Sequence, residues 1–250
     1  VCLIGGNQHM MGAIQLAGLA ALKAGCGLVK IITLKEHSIA IAQAIPELMC
    51  FNHKSETSIQ DSAKSIAIGP GLGKDSWAIE RFTNAINTMQ PKVIDADALR
   101  LLAKHNRKKL HRNWILTPHP GEAAELLGLS NYEVQSDRVT SIKALHAKFG
   151  GVIILKGNGT LIYDGERLEV CLAGNAGMAV GGNVAALTGI IASLLAQGVA
   201  PWPAANLGVS LHAHAADILV QQHGQASLLP TEVAQTVAQL MTYQGTAITH

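Results

Sequence analysis

The sequence predicts an α/β protein of the three-layer α/β/α kind, with helices on both faces of a mostly parallel central sheet. Short apolar runs alternate with helical patterns along most of the chain, and nearly every run ends in a loop rich in glycine, proline or carboxylates. Hydrophobic residues make up 48% of the 250 residues and charged residues only 14%, which is ample material for a buried sheet. No repeat or linker divides the chain, so we expect one domain over residues 1–250.

The chain opens with a strand, a helix and a second strand within about thirty residues, which is the length of a βαβ unit. Residues 1–4 predict the first strand, 11–24 the helix and 28–33 the second strand. The helix is rich in alanine and therefore narrow, so it can lie close against a sheet or a neighbouring subunit. Because residue 1 already lies in a strand, we expect a further segment to precede it.

The next elements end in two loops typical of ligand sites. A helix at 38–44 is followed by an apolar run at 65–68 that ends in Gly69-Pro-Gly-Leu-Gly73. A glycine loop at the carboxyl end of a buried parallel strand is where open α/β sheets bind ligands, although this one lacks the Lys-Ser/Thr ending of a P-loop. A helix at 77–89 then leads to a strand at 91–94.

Two carboxylates, Asp95 and Asp97, follow the strand at 91–94. They are two residues apart, so on an extended chain they face the same way and either could reach a bound ligand or magnesium. Capping of the helix that starts near Ala98 explains them equally well.

A histidine between two prolines follows the strand at 114–116, in Thr117-Pro-His-Pro-Gly-Glu122. The prolines fix the loop around His119, which favours a ligand contact over a core position. Helices at 122–127 and 136–149 come next, then a strand at 152–155 that carries Lys156-Gly-Asn-Gly-Thr160 at its end.

The last part of the chain combines a hairpin, a glycine stretch and helices. Strands at 161–163 and 167–171 flank Asp164-Gly-Glu166, a hairpin signal. Residues 174–189 hold five glycines and run into an apolar helix that ends near 197, with further helices at 204–221 and 231–244. A glycine loop that becomes a helix N-terminus predicts an anion site, because the first N–H groups lack intrahelical partners. A turn made only for close packing is the alternative.

Composition excludes several function classes. The net charge of +2 forms no basic stripe, which argues against a nucleic-acid partner. Four cysteines stand far apart, in neither a disulfide framework nor a zinc pattern, and His212 and His214 point to different sides of a helix. The polar stretch 52–64 and the basic patch 104–112 are predicted to be surface. The longest apolar run is interrupted by polar residues, so we expect no membrane span and a cytoplasmic protein.

Five ordered motifs resemble those of the ADP/ATP-dependent NAD(P)H-hydrate dehydratases, which belong to the ribokinase-like superfamily. The resemblance covers nearly the whole chain, and any one motif alone would be unspecific. The motifs are Gly69-Pro-Gly-Leu-Gly73, Asp95-Ala-Asp-Ala-Leu99, Thr117-Pro-His-Pro-Gly-Glu122, Leu155-Lys-Gly-Asn-Gly-Thr160 and Gly174-Asn-Ala-Gly-Met-Ala179.

The resemblance implies a lyase that repairs hydrated NADH or NADPH. ADP or ATP phosphorylates the hydroxyl of the hydrate, with Mg²⁺ screening the phosphates, and loss of phosphate restores the cofactor. It also implies a homo-oligomer of the tetrameric kind and an epimerase domain, fused or separate. The residues implied for the adenine nucleotide are Lys156, Gly157, Asn158, Gly159, Thr160, Gly182 and Val184, and those for the hydrate are Ala13, Gly71, Asp97, His119 and Asn175. No metal ligand from the protein is implied.

One departure from the family pattern concerns catalysis. The family continues its glycine loop as Gly-Gly-x-Gly-Asp, whereas this chain has Gly181-Gly-Asn-Val-Ala185. Val184 therefore stands at the position of the anion-hole glycine and Ala185 at that of the catalytic aspartate. Three interpretations stay open: an active dehydratase with an altered stretch, a nucleotide-binding protein of low activity, or an enzyme with another base such as Asp95 or Asp97. A small-molecule kinase of the same superfamily is the rival enzyme.

Overall fold

Short runs of buried aliphatic residues form the strands of one sheet. The computed structural model describes residues 1–51, 56–105 and 111–245. Its strands are β1 (Cys2–Ile4), β2 (Val29–Ile32), β3 (Leu48–Phe51), β4 (Ile66–Ile68), β5 (Lys92–Ile94), β6 (Trp114–Leu116), β7 (Val152–Leu155), β8 (Thr160–Tyr163) and β9 (Leu168–Cys171). They form a nine-stranded sheet in the order β3-β2-β1-β4-β5-β6-β7-β8-β9. Strands β1 to β7 pair in parallel, and β8 and β9 add an antiparallel hairpin, as predicted.

Helices cover both faces of this sheet. They are α1 (Met11–Lys23), α2 (Ser38–Ala44), α3 (Glu56–Asp61), α4 (Ser76–Ile86), α5 (Ala96–Lys104), α6 (Pro120–Leu127), α7 (Asn131–Ser136), α8 (Arg138–Phe149), α9 (Asn183–Ala196), α10 (Pro201–His223) and α11 (Pro230–Gly245). Successive strand residues face opposite sides, so Leu3 joins one hydrophobic core with α1, α9, α10 and α11. Ile4 joins a second core with α4, α5, α6 and α8. The predicted α/β/α sandwich is confirmed.

The alanine-rich face of α1 packs against α9. Ala17, Ala20 and Ala21 are fully buried. A Cβ added at Gly189 of α9 would lie 2.1 Å from the carbonyl oxygen of Ala17, so only glycine allows the two backbones to approach this closely. The narrow helix is therefore confirmed, and its alanine face packs against α9 within the chain.

Strand β3 and helix α7 have no counterpart in the sequence prediction. The helix expected at 136–149 is confirmed as α8, which begins at Arg138 because the Asp137 carboxylate accepts from the Thr140 amide (2.9 Å) and caps it. The predicted polar stretch contains α3, and its residues 52–55 lie outside the described part of the chain, as do 106–110 of the basic patch. Among the described residues, no helix has the length and apolar character to cross a membrane.

Candidate active site

A cavity of about 560 Å³ lies where the loop after β7, the loop before α9 and the middle of α10 meet. Its walls include eight of the residues singled out in the sequence: His119, Lys156, Gly157, Asn158, Gly159, Thr160, Asn175 and Val184. Five others do not line it: Ala13, Gly71, Asp97, Gly182 and Ala185. The two loops predicted to bind a nucleotide thus face one cavity, while part of the predicted hydrate site lies elsewhere.

The Lys156 side chain joins the cavity to a buried ion cluster. Its Nζ lies 3.0 Å from Oδ1 of Asp95 and 3.8 Å from Oε2 of Glu122. The other oxygen of Asp95 accepts from Oγ1 of Thr188 at 2.6 Å. Asp95 is fully buried and Lys156 keeps 14% exposure, so the ammonium compensates the buried carboxylate and still reaches the cavity.

His119 caps helix α6 through its ring. The Nδ1 atom accepts from the backbone amides of Gly121 (3.0 Å) and Glu122 (3.3 Å), while the Glu122 carboxylate accepts from the His119 amide (2.8 Å). Nδ1 therefore carries a lone pair, and the proton of the neutral ring is on Nε2. Burial, helped by the positive charge of Lys156, lowers the pKa of His119, and burial raises the pKa of Glu122. His119 is thus a neutral ring on the cavity wall, with Nε2 3.4 Å from Oε1 of Glu122.

Arg138, the first residue of α8, stabilises the Lys156–Thr160 loop through hydrogen bonds. The guanidinium donates to the carbonyl oxygens of Asn158 (2.7 Å) and Leu155 (3.0 Å). Nothing in the sequence distinguishes Arg138 from other helix residues, so this contact was not predicted. It fixes the loop that carries the cavity's lysine.

The loop before α9 is held by Asp217 of α10. Its carboxylate accepts from the Gly174 amide (2.8 Å) and from Nδ2 of Asn175 (2.8 Å). Oδ1 of Asn175 accepts in turn from the Gly177 amide (3.0 Å). Asp217 was also missed, although a single carboxylate within an apolar helix was an available signal. Asn175 thus shapes the cavity wall through its contacts with the Asp217 carboxylate and the Gly177 amide.

Helix α9 begins at the cavity with an uncapped N-terminus. Gly182 is its N-cap, with φ +101°, and no side chain caps it. Val184 lines the cavity, whereas Ala185 is 4% exposed and packs into the core. By position in the first turn, the amides of both residues lack intrahelical acceptors, so they offer N–H groups to an anion.

Ala13, Gly71 and Asp97 come together at a second place, around the loop after β4. A Cβ added at Gly71 would lie 3.2 Å from that of Ala13, and the Gly73 amide donates to Oδ2 of Asp97 (2.9 Å). The expectation that Asp95 and Asp97 face the same way was wrong, because Ala96 has φ +47° and Asp97 is already helical. Capping does not explain Asp95 either, since its side chain makes no cap hydrogen bond.

His212 and His214 lie on opposite sides of α10, as predicted. His214 is exposed and contacts the carbonyl oxygen of Ser210 (2.8 Å). His212 is 6% exposed and lines the cavity, and burial lowers its pKa to about 4. All four cysteines are free, and the described part of the chain brings together no group of three or more His, Cys, Asp and Glu residues suited to a metal ion.

Comparisons with known proteins agree on one family. The sequence profile described as NAD(P)H-hydrate dehydratase matches residues 1–239. The bifunctional NAD(P)H-hydrate repair enzyme of Coxiella burnetii is 44% identical over 93% of this chain and 48% of its own length. The ADP-dependent (S)-NAD(P)H-hydrate dehydratase of Neisseria meningitidis is 38% identical over 94% of this chain and 82% of its own.

A solved structure has the same fold. The ADP/ATP-dependent NAD(P)H-hydrate dehydratase of Bacillus subtilis, co-crystallised with ATP and Mg²⁺ and soaked with CoA, has a TM-score of 0.86 at 30% identity, with 97% of this chain and 90% of that one covered. The chain spans about half the length of the bifunctional relatives it matches.

Proposed function

The chain belongs to the NAD(P)H-hydrate dehydratase family, and from this premise we propose that it uses ADP or ATP to dehydrate hydrated NADH and NADPH. The observation that carries the proposal is the convergence of two positive features on one cavity. Lys156 and the uncapped first turn of α9, through Val184, both line the space between the two loops. Polyphosphates bind where a lysine and a helix N-terminus converge.

The proposed reaction has two steps. In the first step the hydroxyl of the hydrate loses its proton and its oxygen attacks the terminal phosphorus of the nucleotide, while the phosphoanhydride bond breaks and AMP leaves from ADP, or ADP from ATP. In the second step the carbon–oxygen bond breaks, phosphate leaves and a ring proton is lost, which restores the ring double bond. Phosphoryl transfer requires mainly positioning and charge stabilisation. Here Lys156 and the α9 amides would hold phosphate charge, and the Nε2–H of His119 would donate to the hydrate.

The nucleotide site would use the loop that Arg138 fixes. Gly157 and Gly159 have φ of +154° and +67°, which allows this loop to turn at the cavity with its backbone exposed. Lys156, Asn158 and Thr160 supply its polar side chains. Gly182 would act indirectly, by setting the direction in which α9 begins.

Magnesium fits this site only together with the nucleotide. No Asp or Glu lines the cavity among the described residues, and both oxygens of Asp95 already have partners. Mg²⁺ takes oxygen ligands and keeps several waters when phosphates hold it. Bound in this way, it would neutralise charge on the phosphates, and the protein's own contribution would be Lys156 and the backbone amides.

The hydrate would extend from His119 and Asn175 at the cavity to the second group formed by Ala13, Gly71 and Asp97. Gly71 packs closely against the start of α1, since a Cβ there would lie 2.6 Å from that of Met10, and Asp97 is anchored by the Gly73 amide. In this arrangement the two proposed ligands would bind to neighbouring loops at the carboxyl edge of the sheet, as open α/β folds bind ligands.

A second candidate function, nucleotide binding with little turnover, is favoured by the residues at the base position. Ala185 cannot accept a proton, and Asp95 is fully buried with Lys156 on one oxygen and Thr188 on the other. Incubation of the protein with NADH hydrate and ATP, followed by the absorbance of restored NADH, distinguishes the two. Restoration at an enzymatic rate supports the dehydratase, and nucleotide binding without restoration supports the second function.

We further propose a single ribokinase-like domain that works beside an epimerase, fused or separate, and assembles as a homo-oligomer. The double length of the bifunctional relatives supports the partnership with another domain. The Neisseria relative, of which the chain covers 82%, supports a dehydratase half that stands alone.

A further inference from the structure

Two buried acceptor atoms on the cavity wall lack partners. They are Nε2 of His212 and Oδ1 of Asn183, and both residues line the cavity while being 6% and 2% exposed. Neither atom has a hydrogen-bond partner within the described chain. A buried polar atom without a partner is costly, so a ligand that supplies a donor gains affinity from each of them.

Local contacts fix both atoms as acceptors. The side-chain nitrogen of Asn183 donates to the carbonyl oxygen of Met178 (3.0 Å), which leaves the amide oxygen as the free end. The ring of His212 makes its other hydrogen bond with the backbone of Asn183, and this bond favours the protonated nitrogen. The remaining ring nitrogen, Nε2, therefore presents a lone pair.

His212 is suited to accept hydrogen bonds and unsuited to take a proton. Burial is the main cause that lowers its pKa to about 4, and the positive charge of Lys156 across the cavity adds to it. At pH 7 roughly one ring in a thousand would be charged. A proton transferred from substrate to this ring would be held beside an ammonium ion, so His212 does not replace the missing aspartate.

The surroundings of the two acceptors match the nucleoside part of a nucleotide. Leu187, Val209 and Ala213 lie within about one helical turn of the two acceptors and supply the apolar wall that a base or a ribose requires, whereas the charged side chain that suits phosphates, Lys156, lies on the loop after β7. We propose that His212 and Asn183 select the nucleotide by accepting hydrogen bonds from donor groups of its adenosine, the exocyclic amine of the base or the ribose hydroxyls. This inference rests on the proposed nucleotide site.

The test is a calorimetric comparison of ADP with analogues that lack one donor. Inosine diphosphate replaces the amine by a carbonyl, and 2′-deoxy-ADP and 3′-deoxy-ADP each remove a hydroxyl. With Mg²⁺ present, the wild type should bind ADP about tenfold or more tightly than at least one analogue, because the analogue leaves a buried acceptor unpaired. His212→Leu should weaken ADP binding about tenfold and abolish that preference. His214→Leu, on the exposed side of the same helix, is the matched control and should behave as wild type.

Each outcome has one meaning. If His212→Leu loses the preference for ADP over inosine diphosphate, His212 accepts from the exocyclic amine. If it loses the preference for ADP over a deoxy analogue, His212 accepts from the hydroxyl that this analogue lacks. A His212→Leu protein that keeps every preference of the wild type overturns the inference while leaving the proposed function intact. Failure of the wild type to bind ADP at all overturns both. Thermal melting without nucleotide checks that each variant is folded. If His212→Leu is unfolded, His212→Gln and Asn183→Ala replace it. The glutamine of His212→Gln keeps an acceptor, so this variant should keep part of the preference for ADP.

Discussion

Ala185 and Val184 occupy the first turn of α9, where the family resemblance implies an aspartate base and a glycine. We expect Val184→Gly combined with Ala185→Asp to raise the turnover of NADH hydrate by ~10²–10⁴-fold, the usual contribution of a positioned general base. Nucleotide affinity should change little, because a base acts mainly in the transition state. Initial rates and nucleotide titrations of wild type and variants measure the two effects.

The single variants provide the controls for that exchange. Ala185→Asp alone still carries the valine side chain that lines the cavity, and Val184→Gly alone still lacks the base, so each should gain less than the pair. Equal turnover in wild type and double variant would place the base elsewhere. Asp97 would then be tested before Asp95, because both oxygens of Asp95 have partners.

The Lys156–Asp95 ion pair is expected to stabilise the folded protein. Lys156→Met leaves a fully buried carboxylate without its counter-ion, which typically costs about 3–5 kcal/mol in the free energy of unfolding. Adding Asp95→Asn to this variant should recover much of the loss, because the buried charge is removed. Urea denaturation measures both, with the exposed Lys143→Met as control. A Lys156→Met protein as stable as the control would show that the pair contributes no net stability.

His212 makes the fold sensitive to acid. Its pKa is about 4 in the folded protein against 6.5 for an ordinary histidine, so the unfolded chain binds the proton first as pH falls. The contribution of the neutral ring to the free energy of unfolding is complete above pH 6.5. About 3 kcal/mol of it is lost as the pH falls from 6.5 to 4. His119, whose pKa is also lowered, acts with the same sign.

Denaturation curves between pH 4 and pH 7 test this contribution. The difference in unfolding free energy between wild type and His212→Gln should shrink as pH falls, because the variant has no ring to titrate. His214→Gln should keep the pH dependence of the wild type. A constant difference between wild type and His212→Gln across this range would contradict the buried neutral ring.

At the scale of single elements, the start of α9 depends on one glycine. Gly182 has φ +101°, and a Cβ there would lie 2.4 Å from Cδ1 of Leu16. Gly182→Ala should therefore destabilise the protein by about 2 kcal/mol or more, from backbone strain and overpacking together. The adjacent Gly181→Ala is a matched control, since a Cβ there has no atom within 4 Å. Equal urea midpoints for the two variants would show that α9 can start without this glycine.

Short-range sequence patterns predicted the strands, whereas contacts between residues far apart in the sequence were not predicted. Apolar runs bounded by glycine located eight of the nine strands, because burial on both faces leaves a continuous pattern. Strand β3 was missed, since three of its four residues are partly or wholly exposed. The Asp217–Gly174 contact joins residues 43 apart, and the Arg138–Asn158 contact joins residues 20 apart. No local pattern encodes such pairings, so the loops of the site were predicted and their supports were not.

For the whole molecule, part of the exposed apolar surface lies at one edge of the sheet. Ala17, Ala20 and Ala21 of α1 are buried beneath α9 and do not belong to this surface. Strand β9 is an edge strand that exposes Val170 (50%), and Leu172 just beyond it is 87% exposed. A groove of about 540 Å³ between this edge and α10 adjoins both residues. An unprotected apolar edge of this kind favours association.

We therefore expect a homo-oligomer in solution whose contact includes the β9 edge. Light scattering at micromolar concentration should give a mass that is a multiple of the 26.2 kDa chain. Leu172→Lys should lower that mass, because a charge at the contact would lose its hydration without a partner. Met89→Lys is the matched control, since Met89 is a similarly exposed apolar residue (89%) elsewhere on the surface, and it should leave the mass unchanged. A monomeric wild type would remove the oligomer altogether, and an oligomer that both lysine variants leave intact would place its contact away from β9.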